Sequence, residues 1–207
     1  MAITVVALSS FYWSVKMRKR KPFNPMLGET YELVTDKFRL ICEKVMHTPK
    51  QIVTFELEGA NYLVKGFNRP LPKFRLNGGR GMMEIAQGGT FDIYFKKYDE
   101  WISVAKPKIL AKNLIIGSLY IELEGQGLAV SNKGAHTFKF GFHPKSSGKQ
   151  SSVSGVALDQ HGVEKFKMSG SYLDQIKLKD LSSGEEELVW SEPELVPEAH
   201  LQYFYNQ

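Results

Sequence analysis

A mainly antiparallel β fold, a meander curled into a large barrel or half-barrel with a short N-terminal helix, is what this sequence predicts, on three observations. Apolar residues alternate with a period of two in many short runs, turn-forming residues separate those runs, and almost no helical period lies between them. With 207 residues, 43% of them hydrophobic and 12% aromatic, the chain can bury one large core. That composition excludes a disordered or low-complexity chain.

In the first segment Val6, Trp13 and Met17 fall on one helical stripe and Val5, Leu8, Tyr12 and Val15 on a neighbouring one, which predicts a buried helix ending before Pro22. Its charges, Lys16 to Lys21, follow the apolar stretch instead of preceding it, so it is neither a signal peptide nor long enough to span a bilayer. Strands are expected at Glu32 to Val34, Phe38 to Glu43, Ile52 to Leu57, Tyr62 to Phe67 and Thr90 to Phe95. Further strands are expected at Ser118 to Glu124, His136 to Phe142, Ser152 to Ala157 and Lys165 to Ser171. The run at His136 is the clearest, with Phe138, Phe140 and Phe142 on one face and Thr137, Lys139 and Gly141 on the other.

Turns are expected at Asn77-Gly78-Gly79, Gly88-Gly89, Asn132-Lys133-Gly134, Asp159 to Gly162 and Ser182-Ser183-Gly184. From Glu192 the chain becomes a loop leading to Tyr203-Phe204-Tyr205, aromatic residues that call for further packing. No repeat, charge block or proline-rich linker divides the chain, which predicts one domain over residues 1–207.

Lys and Arg number 27 against 22 Asp and Glu, a net charge of +5 that favours an anionic membrane surface, a phosphate group or nucleic acid without choosing among them. The single cysteine, Cys42, excludes a disulfide framework and suits a reducing cytoplasm. His136, His143, His161 and His200 stand at no metal-ligand spacing, so neither a metal nor another cofactor is expected. Gly78-Gly79-Arg80-Gly81 lacks the strand, helix and lysine of a nucleotide-binding loop and reads as a turn.

The phrase Lys21-Pro22-Phe23-Asn24-Pro25-Met26-Leu27-Gly28-Glu29-Thr30-Tyr31-Glu32 resembles the K-P-F-N-P-L-L-G-E-T-Y-E stretch of oxysterol-binding-protein-related proteins. Ser10, Tyr12, Ser14 and Arg18 keep that family's spacing upstream. Glu43, Val45, His47 and Pro49 agree with its E-Q-V-S-H-H-P-P fingerprint, while Thr48 replaces the second histidine. Asn113 to Gly117 is similar to N-I-I-V-G, and Phe166 to Ser171 to Y-x-L-S-G-x-W. The resemblance implies a β-barrel tunnel that binds a sterol or another lipid, exchanged in many members for phosphatidylinositol 4-phosphate. It places Lys21, Asn24, His47 and Thr48 at the headgroup site and Tyr12 near the tunnel. It also implies that a lid and helices before residue 1, and a helical part after residue 207, lie outside this span.

The chemistry of these residues agrees with that implication: lysine is a compact charge for phosphate, asparagine offers neutral donors, and histidine gains charge beside a dianion. Threonine at 48 donates one hydrogen bond and never carries charge. Each residue also has a plainer reading: Lys16 to Lys21 as a general membrane-attracting cluster, His47 as a structural histidine, Asn24 as a turn residue and Tyr12 as core. The expected function is stoichiometric lipid binding and transfer, with transient contact to an anionic membrane, a cytoplasmic and peripheral location, and no nucleic-acid partner. The alternative is a divergent or truncated member that binds phosphoinositide membranes without transfer. Neither a nucleophile elbow nor an oxyanion-hole motif accompanies Cys42, so an enzyme is not expected. An RNA-binding barrel would need the Phe138 face exposed.

Overall fold

The computed structural model describes residues 23–76, 79–134, 136–144 and 151–192, together with Val5, Val6 and Ser9. Fourteen strands run in chain order: β1 (Thr30–Val34), β2 (Phe38–Met46), β3 (Ile52–Gly59), β4 (Tyr62–Arg75), β5 (Met82–Gly88), β6 (Thr90–Phe95), β7 (Glu100–Ala105), β8 (Lys108–Lys112), β9 (Tyr120–Ser131), β10 (His136–His143), β11 (Ser152–Asp159), β12 (Glu164–Ser171), β13 (Gln175–Asp180) and β14 (Glu186–Ser191). One 3-10 turn, Lys96–Tyr98, joins β6 to β7. All fourteen strands form one sheet, and β1 and β14 are its two edges among the described residues.

The connectivity is a meander in which every strand pairs antiparallel with a sequence neighbour, as expected from the turn chemistry. The branch at β4 is a bend, not a crossover. Tyr62 faces Phe95 and Gly66 faces Phe91 in β6, while Arg69 faces Gly88 and Arg75 faces Met82 in β5, all in one unbroken register. Thus β5 and β6 are one long strand kinked at Gly88-Gly89, where the sequence predicts a turn, because the chain keeps its direction along β4. Gly89 carries a φ of 85°, and a Cβ there would lie 2.6 Å from the Phe67 ring, so both backbone and space demand glycine. In the same way β7 and β8 make a second kinked strand, interrupted at Lys106-Pro107 and paired with β9 on both halves.

Register then lines up one apolar row across the inner face. It runs from Tyr31 and Cys42 through Phe55, Phe91, Val104, Ala129 and Phe138 to Phe166, each opposite its neighbour on the next strand or on the strand beyond. Bulky rings alternate with gaps. A Cβ on Gly66 would lie 2.6 Å from Phe55, one on Gly127 2.7 Å from Phe140, and one on Gly155 2.5 Å from Phe138. These glycines are places where aromatic rings lie flat against backbone, and fully burying each ring stabilises by about 1.5–3 kcal/mol. Phe138, Phe142, Val104, Leu123, Met168 and Ile176 form the buried centre, with Phe142 edge-on to Phe140 and Tyr172. The Tyr172 hydroxyl accepts the backbone N–H of Leu123 at 3.1 Å, giving this buried polar group a partner.

Of the expected N-terminal helix, Val5, Val6 and Ser9 are described. They are helical and buried, with Ser9 Oγ donating to the Val5 carbonyl at 2.8 Å, and the remainder lies outside the described residues. All nine expected strands are present, several of them longer than expected, and β5, β7, β8, β13 and β14 are additional. β4 runs on through Pro70 and Pro72, and β9 through Gly125 and Gly127, residues that ordinarily argue for the end of a strand.

Candidate functional site

In a meander, alternate turns fall at the same end of the sheet. One end therefore collects residues 23–29 ahead of β1, residues 47–51 between β2 and β3, residues 76–81 between β4 and β5, and residues 113–119 between β8 and β9. Three of these segments carry the motifs singled out in the sequence.

The Pro25 to Glu29 segment folds onto β2 through its own backbone. Gly28 N–H donates to the Lys44 carbonyl at 2.8 Å, and Lys44 N–H donates to the Glu29 carbonyl at 3.1 Å. The Glu29 carboxylate accepts the Met26 N–H at 2.7 Å, and the Glu29 N–H returns to the Met26 carbonyl at 3.0 Å, closing a tight turn. Gly28 sits at φ 79°, and a Cβ added there would meet nothing within 4 Å, so the backbone conformation and not crowding requires glycine here. Asn24 is exposed just ahead of this turn, and His47 and Thr48 are exposed just beyond the end of the adjacent β2. Asn24, His47 and Thr48 thus share one end of the sheet. Lys21 and Tyr12 lie outside the described residues.

The Asn113 to Gly117 motif has a local explanation as well. Asn113 adopts φ 62° and its side-chain amide donates to the Ser118 carbonyl at 3.1 Å, while Gly117 takes φ 103° against the Asn113 side chain. Leu114 and Ile115 donate their N–H groups to the Gly81 and Arg80 carbonyls at 3.1 and 3.0 Å, which fastens this loop to the β4–β5 turn. The result is a rigid tip that presents apolar side chains to solvent. Ile116 is 64% exposed, Leu119 62% and Leu76 70%, and Phe23 on the first loop is completely exposed. Lys50, Lys73 and Arg80 stand exposed at the same end, with Arg75 paired to Glu84 at 3.2 Å. Exposed apolar groups beside cations make this end a candidate contact surface.

Two lysines face inward beneath this end. Lys106, after β7, reaches the Phe67 carbonyl and, at 3.2 Å, Asn68 Oδ1, with its ammonium 4.9 Å from the Phe91 ring centre and 5.8 Å from that of Phe55. Burial lowers it from 10.5 to about 8, with nearby Asp92 pulling upward. Lys44, on β2, is buried. Cys42 is half-buried on the same row as Phe55, and burial pushes its thiol up, away from the thiolate a nucleophile needs. Sequence reasoning passed over both lysines, although Lys44 lies within the fingerprint and differs from the family's glutamine there. An open concavity of about 720 Å³ lies on the opposite face of the sheet, between Lys139, Lys167 and Lys179, away from all of these groups.

Against known families, the sequence matches the oxysterol-binding protein family over residues 1–207. The chain belongs to the oxysterol-binding protein family. Among curated members, human Oxysterol-binding protein-related protein 2 is 32% identical over 161 residues, covering 76% of this chain and 33% of that protein. Oxysterol-binding protein-related protein 1 of Rattus norvegicus is 37% identical over 131 residues, 61% of this chain and 13% of that protein. The chain thus spans a third or less of these relatives. Among solved structures, the Osh3 ORD from Saccharomyces cerevisiae in complex with PI(4)P superposes with a TM-score of 0.75 at 27% identity, covering 94% of this chain and 53% of that one. The Osh1 ORD domain in complex with cholesterol gives 0.81 at 20% identity, covering 92% and 50%, a likeness of fold. No helix among the described residues of this oxysterol-binding protein family member is long and apolar enough to cross a membrane.

Proposed function

We propose that residues 1–207 of this oxysterol-binding protein family member form one unit that binds a lipid against the inner face of the curled sheet and transfers it between membranes. The apolar body, a sterol or another lipid, packs on the Phe55–Phe91–Phe138 row. Lys21, Asn24, His47 and Thr48 engage a phosphorylated inositol head at the loop-bearing end, and Tyr12 contributes to the tunnel. No covalent step is involved. One observation carries the reading: the Asn24 and His47 loops share an end of the sheet with exposed Phe23, Leu76, Ile116 and Leu119 and with Lys50, Lys73 and Arg80. That end is suited to rest on an anionic leaflet, its apolar tips entering the headgroup region and its cations meeting lipid phosphates. The 27% identical Osh3 ORD, solved with PI(4)P, supports the headgroup assignment.

The second reading is a phosphoinositide-dependent membrane-binding module without transfer, and it is favoured by β1 and β14 being edges of the sheet among the described residues, since an open wall shields a lipid poorly. Mass spectrometry of lipids retained by the purified protein after incubation with liposomes of sterol, phosphatidylserine and phosphatidylinositol 4-phosphate separates the two. One lipid per protein is expected. Recovery of none, with liposome binding intact, overturns carriage and leaves the membrane module.

A further inference from the structure

We propose that Lys44 binds the acidic group of a lipid, a carboxylate or a phosphodiester, just inside the loop-bearing end of the sheet. The inference rests on the lipid-carrier reading and narrows its cargo from any apolar lipid to an anionic one.

Lys44 is only 1% exposed, and its Nζ has no hydrogen-bond partner among the described residues. Strand alternation puts it on the inner face with Leu40 and Cys42, and register places it opposite Val53, which in turn faces Asn68. Its backbone is pinned on both sides, N–H to Glu29 and carbonyl to Gly28, so the side chain cannot swing away to water with the strand. A lysine offers three donors and a full charge, and such a group out of water is unfavourable until an opposite charge reaches it. The neighbouring carboxylates do not supply one. That of Glu29 is engaged by Met26, and Glu43 projects from the opposite face of β2, where it is exposed. Lys106 provides the contrast, because the fold gives it two oxygen acceptors and three aromatic rings. The fold therefore satisfies one inward lysine and leaves the other for a ligand.

The position selects the ligand class. Lys44 lies three residues before His47, about 10 Å deeper along the strand at roughly 3.3 Å per residue. A charge there is reached by a slender amphiphile whose chains lie along the apolar row, whereas a hydrated free anion would have to shed its water to arrive. A sterol hydroxyl can accept a hydrogen bond from Lys44 but brings no charge.

The test uses the full chain and Lys44→Met, which keeps length and volume and removes the charge. Each is titrated separately with oleate, dioleoyl-phosphatidylglycerol and cholesterol, with inorganic phosphate as the head-alone control. The wild type should hold oleate or phosphatidylglycerol, and whichever is held more tightly names the carboxylate or the phosphodiester source. Lys44→Met should weaken that lipid at least tenfold and change cholesterol less than twofold. Its lipid-free melting temperature should equal or exceed that of the wild type, and the bound acid should raise the wild-type value more. Equal acid affinity in both proteins, wild-type binding of cholesterol but of neither acid, tighter binding of free phosphate than of either acid, or a variant that melts well below wild type overturns the Lys44 assignment while lipid carriage stands. Binding of none of the three lipids overturns carriage and the assignment together.

Discussion

Raising the pH from about 7.5 to about 10 should stabilise this protein through Lys106, and Lys106→Met should lose that gain. Burial holds the folded-state value near 8, against 10.5 for an ordinary lysine, with Asp92 opposing the drop. Between those two values the unfolded chain binds a proton that the folded chain does not, so stability rises with pH across that window and the contribution is lost as pH falls through it. At 1.36 kcal/mol per tenfold change the full drop corresponds to about 3.4 kcal/mol. The side chain is only half-buried, and the Phe67 carbonyl, Asn68 and the three rings favour its charged form, so about 1–2 kcal/mol is the expected size. Urea denaturation of both proteins at pH 7.5, 8.5 and 10 measures it. Taking the difference between them cancels the groups that drift the other way, such as Lys177, which Glu186 holds up. Equal gains in the two proteins would show that Lys106 is not desolvated as its surroundings require.

Gly170→Ala should destabilise strongly, because at φ 150° its new Cβ would lie 2.1 Å from the Gln175 carbonyl, and a loss of more than about 3 kcal/mol in chemical denaturation is expected from forcing β12 and β13 apart. Thr48→His should raise affinity for phosphatidylinositol 4-phosphate liposomes about tenfold, since a charge-assisted bond contributes roughly 1.5–3 kcal/mol where a neutral hydroxyl gives less, and unchanged binding in a flotation titration would remove Thr48 from the headgroup site.

The strands legible from sequence were those with two-residue alternation between strong turns, as at Phe138, Phe140 and Phe142. β8 escaped because its apolar run is covered on both faces, Leu110 on one and Ile109 on the other, which erases alternation. β5 is similar, with all seven residues half-buried. β9 was cut short at Gly125 because glycine argues locally for a break, whereas Gly127 is there to admit the ring of Phe140, a contact between strands that no window of sequence contains. β13 did show alternation, Ile176 and Leu178 against Lys177 and Lys179, and was passed over all the same. At the loop-bearing end, Asn24 and His47 were singled out through family position alone. The partnerless state of Lys44 and the aromatic surroundings of Lys106 depend on which strands become neighbours, a property of register.

The division of labour along each strand has a consequence for how such proteins diversify. Wall positions such as Lys44 and Phe55 and tip positions such as Phe23 and Ile116 are encoded in separate short stretches, joined by rigid β-structure. On the proposed carrier reading, a change of destination follows from rewriting a turn, and a change of passenger from rewriting an inward-facing position, with neither obliging the other to move.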